Sequence, residues 1–369
     1  MSQRFKTSAG AVAAVTAVLW SGSVRGAGQT TEPAPRTSPP AAKRAGPSNA
    51  GARWTAPRTP WGDPDISGNF TNVFEQATPL ERPDQFAGVA RDEIKGQQLS
   101  DLLTRRRDQS LANFDSSDIH APTFWWGDAL RVEKGSHAWF VVDPPDGKIP
   151  PITPEAQRRI AARAEARRLN GRGAADSYED RSLYDRCITR GMPNSMMPTI
   201  YGNSYRIVQS QGLVAIQYEM IHETRVIPLD GRAHVGQGIR MDMGDGRGHW
   251  EGDTLVVETT NFRERSAFRN GNPDTLRIIE RFRRVAPDQV QWAVTVEDPT
   301  TWTRPWSFSM PLTMDDSEQM FEYGCHEGNL GLSNILSGAR ADEKTADEAA
   351  KRGIPVAPRA IPTAAEGER

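Results

Sequence analysis

The sequence predicts a mainly β protein. An antiparallel meander closes as an up-and-down barrel or curls into a half-barrel, and helical and irregular N-terminal segments pack on it. Three observations carry this. Residues 200–324 alternate apolar and polar side chains with period two, run after run, as half-buried strands do. Turn signals separate the runs: Asp230-Gly231, Glu251-Gly252-Asp253, Ala286-Pro287-Asp288 and Asp315-Asp316. No helical pattern stands between the runs, which disfavours a parallel sheet with crossover helices. A two-sheet β-sandwich is the alternative arrangement of the same strands.

In chain order, residues 1–26 read as a signal peptide. Arg4 and Lys6 form a basic start, Ala9 to Trp20 an apolar stretch too short to span a bilayer, and small residues follow near Val24-Arg25-Gly26. Residues 27–53 are rich in Pro, Ala, Thr and Ser and read as a flexible linker. Residues 54–186 form a mixed segment packed on the barrel. Trp54 to Thr71 is turn-rich, with aromatic anchors that lie across another surface. Ala87 to Asn113 is helix-compatible, with Leu99, Leu102, Leu103 and Leu111 in one stripe. His137 to Val142 reads as a short strand, followed by a turn at Asp143 to Gly147. Thr153-Pro154-Glu155 opens a helix as N-cap, first-position proline and first-turn acid, and Asn170-Gly171 ends it. Its many arginines read as a solvated face.

The β domain covers residues 187–338. Its strands are Tyr205 to Gln209, Leu213 to Tyr218 continuing to Leu229, Thr254 to Thr260, Leu276 to Arg284, Val290 to Glu297, Trp306 to Leu312 and Gln319 to Tyr323. Val290, Trp292, Val294 and Val296 share a face, as do Trp306, Phe308, Met310 and Leu312. From about Ala339 to Arg369 the chain is Ala-, Glu-, Lys- and Pro-rich and reads as a flexible tail.

Composition excludes several function classes. The net charge is −2, and −5 once Arg4, Lys6 and Arg25 are removed with the leader, so nucleic acid is not an expected partner. No other run is long and apolar enough to insert in a membrane. Two cysteines are too few for a multi-Cys zinc ribbon. No P-loop, dinucleotide fingerprint or nucleophile elbow is present, so no cofactor is predicted.

In an exported chain the obvious partners are Cys187 and Cys325. A disulfide across that long loop stabilises by about 4–5 kcal/mol when unstrained. Two buried free thiols, or a Cys325-His326-Glu327 nucleophile, are the other readings.

On the strand from Leu213 to Leu229, Val214, Ile216, Tyr218, Met220, His222, Thr224 and Val226 point one way; Gln217, Glu219, Glu223 and Arg225 point the other. If the second row is internal, Glu219 is a base or acceptor and Arg225 an anion clamp. If it faces solvent, His222 is the internal polar residue. His234, Asp242, Asp245 and His249 gather before the Trp250 hairpin but match no compact metal motif. Met192, Met196 and Met197 read as core, as a wall for a flat ligand or as soft Cu(I) ligands. Phe124, Trp125 and Trp126 are a pocket wall or a core plug.

The run from Gly244 to Thr260 resembles the hallmark of a family of secreted bacterial β-rich proteins of unknown function. Also similar are Pro60 to Asp65, Val142 to Gly147, Asp230-Gly231-Arg232 with His234, Glu280 to Arg284, Asp298-Pro299, Pro305-Trp306 and Glu322 to Cys325. The resemblance covers roughly residues 54–335. More loosely, the pattern is similar to lipocalin-like barrels.

The expectation is therefore a periplasmic or secreted protein. It binds an apolar or aromatic small molecule in a barrel pocket walled by Tyr218, Met220, Met196, Trp250 and Trp292. The alternatives are an exported lyase, isomerase or hydrolase using Glu219, His222, Arg225 and His234, and an envelope interaction module.

Overall fold

Period-two alternation becomes strand almost wherever the sequence predicts it, and two short segments complete the sheet. In the computed structural model, described for residues 54–112, 135–169, 173, 175–199, 202–316 and 319–355, the strands are β1 (Gly68–Thr71), β2 (Val141–Asp143), β3 (Ser204–Ser210), β4 (Leu213–Tyr218), β5 (Thr224–Pro228), β6 (Asp245–Glu251), β7 (Thr254–Thr260), β8 (Arg277–Ala286), β9 (Gln289–Glu297) and β10 (Trp306–Met314). All pair antiparallel in the order β5-β4-β3-β1-β10-β9-β8-β7-β6, with β2 also beside β10. The expected leader (1–26), the linker (27–53) and the Phe124–Trp125–Trp126 cluster lie outside the described residues.

The architecture is a nearly closed antiparallel barrel, made of two meanders that are joined by an inserted strand. The chain from β3 to β5 is one meander and from β6 to β10 the other. β1 hydrogen bonds to β3 on one side and β10 on the other. The turn-rich N-terminal segment therefore does not merely lie on the barrel; it supplies the strand that unites its halves. β5 and β6 close the remaining gap through side chains, without a backbone ladder. Glycines on β6 permit this approach. A Cβ on Gly248 would lie 2.5 Å from Leu229 Cδ2, and one on Gly246 would lie 3.1 Å from Arg225 Nη2.

Inward-facing residues fill the interior. Val290, Trp292, Val294 and Val296 of β9, and Trp306, Phe308, Met310 and Leu312 of β10, are all buried, as their shared faces predict. Trp292 packs edge-on to Phe308 at 5.6 Å and stacks with Phe282 at 6.4 Å. Met192 and Met196, from the loop before β3, enter the same core. Asn72 ties that loop down, donating from Nδ2 to Met196 O at 2.7 Å while accepting from Tyr205 Oη at 3.1 Å.

Helix α1 (Gly96–Ala112) covers a smaller core in which Leu99, Leu102 and Leu103 meet Ile94, Ala138 and Trp139. The Leu111 side chain is outside the described set. Helix α2 (Pro154–Leu169) begins as predicted, with Thr153 Oγ1 accepting from Ala156 N at 3.1 Å. Its arginines are not all solvated. At helical spacing from Ala156, Arg159 turns to the barrel and donates to Thr301 Oγ1 at 2.6 Å, and Arg163 pairs with Glu264 at 2.6 Å.

Three further elements differ from the expectation. The predicted strand over 319–323 is irregular, because the sheet path already ends at β5 and β6 and the chain leaves it to reach Cys187. The predicted loose tail is instead helix α3 (Leu330–Lys351), rich in helix formers and capped by Asn329, whose side chain accepts from Leu332 N. Finally, residues 213–229 are not one strand. Tyr218 N donates to Glu223 O at 2.9 Å, closing a tight reversal between β4 and β5 in which Ile221 and His222 have φ of 64° and 48°. Left-handed φ in a β-branched residue is costly. Burial of Met220 and Ile221 beneath the turn offsets it.

Candidate functional site

The reversal at 219–223 redistributes the predicted site residues. It changes the parity of the row, so Arg225 and Ile227 point inward with Val214, Ile216 and Tyr218, while Val226 is exposed. Glu219 and Arg225 therefore do not share a face. Glu219 exchanges bonds with the backbone of Ser204 at the barrel rim. His222 is an exposed turn residue whose Nδ1 donates to Tyr323 O at 2.8 Å. Close by, Cys187 and Cys325 form a disulfide with 5.7 Å between Cα atoms.

Arg225 lies within the barrel at 5% exposure, against Glu280 at 0%. Its Nη1 donates to Glu280 Oε2 at 2.5 Å and its Nη2 to Thr259 Oγ1 at 2.5 Å. Trp292 Nε1 donates to the other carboxylate oxygen of Glu280 at 3.2 Å. Burial would drive the guanidinium to lose its proton, but the facing Glu280 prevails and holds it charged. Met192 Sδ covers the pair, 3.8 Å from Arg225 and 3.6 Å from Tyr218 Oη. This is a closed polar core, not an anion clamp open to a ligand.

The expected ligand walls are core side chains as well. Tyr218, Met220, Met196 and Trp292 are buried, and Trp250 is half-buried against the same cluster. Two clefts lie outside the barrel interior. One, of about 340 Å³, runs along β1 and β3 past Asn69, Arg206 and Gln209. The other, of about 260 Å³, lies where the loop between β5 and β6 meets the ends of β7 and β8, and His234 is in its wall.

The second cleft is built on outward-facing positions of the motif hairpin, β6–β7, and of β8. Asp245 is nearly buried. Its Oδ2 receives His234 Nδ1 at 3.0 Å and Val235 N at 2.9 Å, and its Oδ1 pairs with Arg247 at 2.5 Å. With those other donors the carboxylate is an acceptor, so Nδ1 donates to it. Nε2 stands 3.6 Å from Glu258 Oε1, while Glu258 Oε2 accepts from Arg277 Nη2 at 2.5 Å. The hydrogen bond from Arg277 holds the Glu258 carboxyl below its usual range. Arg277 also pairs with Glu297 at 2.8 Å. Arg240 bonds to Pro273 O and Asp274. Asn261, at φ 59°, anchors the loop by donating to Val235 O at 2.9 Å.

Of the His and carboxylate residues that precede Trp250, the fold thus joins His234 and Asp245. His249 pairs instead with Glu251 at 3.2 Å and Asp242 with Arg263 at 3.4 Å. Among the described residues no three His, Cys, Asp or Glu side chains stand together in a metal-binding arrangement. The sequence reading missed Arg240, Arg277 and Asn261 as cleft residues, and Glu258 as the carboxylate beside His234. Glu258 and Arg277 were legible only as polar positions on strands, because their meeting depends on the β7–β8 register, which sets Glu258 opposite Ile279 beside Arg277.

One further titratable group is perturbed. Burial pushes the Glu223 carboxyl up to about 7, against the hydrogen bond that Thr189 Oγ1 donates to it at 2.7 Å.

No family model and no curated protein matches the chain. A solved structure, that of a secretary abundant heat soluble (SAHS) protein from Ramazzottius varieornatus, is 13% identical to it. The match covers 36% of this chain and 87% of that one at a TM-score of 0.20, a likeness too slight to support any argument.

Proposed function

We propose that this protein acts outside the cytoplasm as a small-molecule-binding barrel whose ligand sits on the outer wall, in the cleft beside His234. The disulfide supports the compartment, and among the described residues no helix is long and apolar enough to cross a membrane. The interior is occupied by aromatic and sulfur side chains and a sealed ion pair, so the apolar ligand that the sequence suggests has no ready place there.

The observation that carries the reading is the cleft's polar lining with its charges already matched. Arg240 is paired with Asp274, and Arg277 with Glu258 and Glu297. A charged ligand would have to break one of these pairs. His234, Gln237, Thr260 and Asn261 add uncharged donors and acceptors. Hydroxyl groups, which both donate and accept, suit such a surface, and the volume fits a molecule of one or two sugar rings. The ligand class is a neutral, polyhydroxylated molecule such as a saccharide.

Calorimetric titration with a panel of mono- and disaccharides, beside a fatty acid and an aromatic dye, tests this. Saccharide binding that weakens several-fold in Gln237→Ala is expected. Binding of only the apolar probes, unaltered in Gln237→Ala, would return the ligand to the barrel interior and end the proposal.

A further inference from the structure

We infer that the His234 cleft is a hydrolytic site for an ester borne on such a hydroxylated molecule, with His234 as the general base. The inference rests on the cleft being the ligand site and adds a reaction to it. Three features of one wall carry it.

First, His234 is oriented as a base must be. Asp245 accepts from Nδ1 and is itself fixed by Arg247 and Val235 N, so the neutral ring keeps its lone pair on Nε2. Second, Glu258 lies beside Nε2, held ionised by Arg277. Both ring nitrogens therefore face carboxylates when the imidazole takes a proton. Third, Arg277 stands across the same carboxylate from His234, one oxygen of Glu258 facing each. Its Nε is buried without a hydrogen-bond partner among the described residues. The guanidinium stands in the cleft wall, where its positive charge would stabilise an oxyanion formed in the cleft.

The step balances as follows. His234 Nε2 takes a proton from a water molecule as the water oxygen bonds to the ester carbonyl carbon. The carbonyl π electrons move to oxygen, and Arg277 faces that oxyanion. The intermediate collapses, the bond to the alkoxy oxygen breaks, and that oxygen takes the proton from Nε2. Ester and water become acid and alcohol, and His234 returns to its starting state. No oxidant, metal or cofactor enters. His234 is the catalytic residue; Asp245 positions it.

The test uses 6-O-acetylglucose, with acetate release followed by proton NMR, and glucose titrated by calorimetry. The wild-type chain is expected to release acetate at least ~100-fold faster than His234→Gln, the lower end for general-base catalysis, and to bind glucose. Asp245→Asn is expected to lower kcat with KM unchanged, a split that loss of packing alone would not produce. Arg277→Gln is expected to lower kcat by a further ~10²-fold. Thermal melts confirm that each variant is folded. If the wild type binds glucose but releases acetate no faster than buffer or than His234→Gln, the reaction is refuted and the binding site stands. If it neither binds nor hydrolyses, the binding reading fails and the reaction with it.

Discussion

Removing one partner of the ion pair within the barrel is the most direct probe of the fold. Arg225→Met keeps a long unbranched side chain but leaves Glu280, at 0% exposure, with Trp292 Nε1 as its remaining donor named above. Thr259 also loses the donor that reaches it at 2.5 Å. Breaking a buried pair from one side costs about 3–5 kcal/mol, because a charge is left in a low-dielectric interior. For a chain of this size that corresponds to a melting temperature lower by roughly 6–15 °C. Adding Glu280→Gln removes the stranded charge while keeping an acceptor for the indole. The double variant is therefore expected to recover most of the loss, since replacing a buried pair outright is often nearly neutral. Urea denaturation of the wild type, both single variants and the double variant gives the coupling directly. A loss below about 1 kcal/mol in Arg225→Met is the range of a solvent-exposed pair. It would show that Arg225 is not sealed in the barrel and would overturn the strand parity derived from the reversal at 219–223.

Two further outcomes are expected. The folded-state pKa of Glu223 is raised from 4.5 to about 7, so the folded chain holds a proton there that the unfolded chain has released. Stability then falls as pH rises from about 4.5 to about 7 and levels off above, by roughly 3 kcal/mol at most. Glu223→Gln should remove that part of the slope in melts taken across the range, and an unchanged slope would assign it to other groups. The disulfide closes a 138-residue separation, so reduction, or Cys187→Ser with Cys325→Ser, should lower stability by up to about 4–5 kcal/mol. Equal denaturation midpoints with and without reductant would contradict that contribution.

What could be read in the sequence was what repeats along it. Alternation in Val290 to Val296 and Trp306 to Leu312 identifies inward faces because side chains alternate along any strand. Thr153-Pro154-Glu155 marks a helix start through local chemistry alone. A 3.6-residue spacing brought Leu99, Leu102 and Leu103 together. Two cysteines in a chain read as exported suggested the pairing of Cys187 with Cys325. All of these depend on near neighbours or on simple elimination.

Features that depend on distant parts of the chain were not legible. Glu219 to Glu223 contains no Gly, Pro or Asn to signal a turn, and its φ values are left-handed only because packing of Met220 and Ile221 holds them there. That reversal decided which polar residue lies inside the barrel, placing Arg225 within and Glu219 at the rim. β1 reads as an irregular arm until β3 and β10 present edges for it to join. The cleft follows the same rule. His234 and Asp245 are close in sequence, but Glu258 and Arg277 reach them only through strand register. By itself the sequence determined the fold class and most strands, and it suggested the cysteine pairing. The tertiary structure decided where the barrel is sealed, which charges it encloses and which face of it carries the His234 cleft, because those depend on contacts between residues that no local periodicity relates.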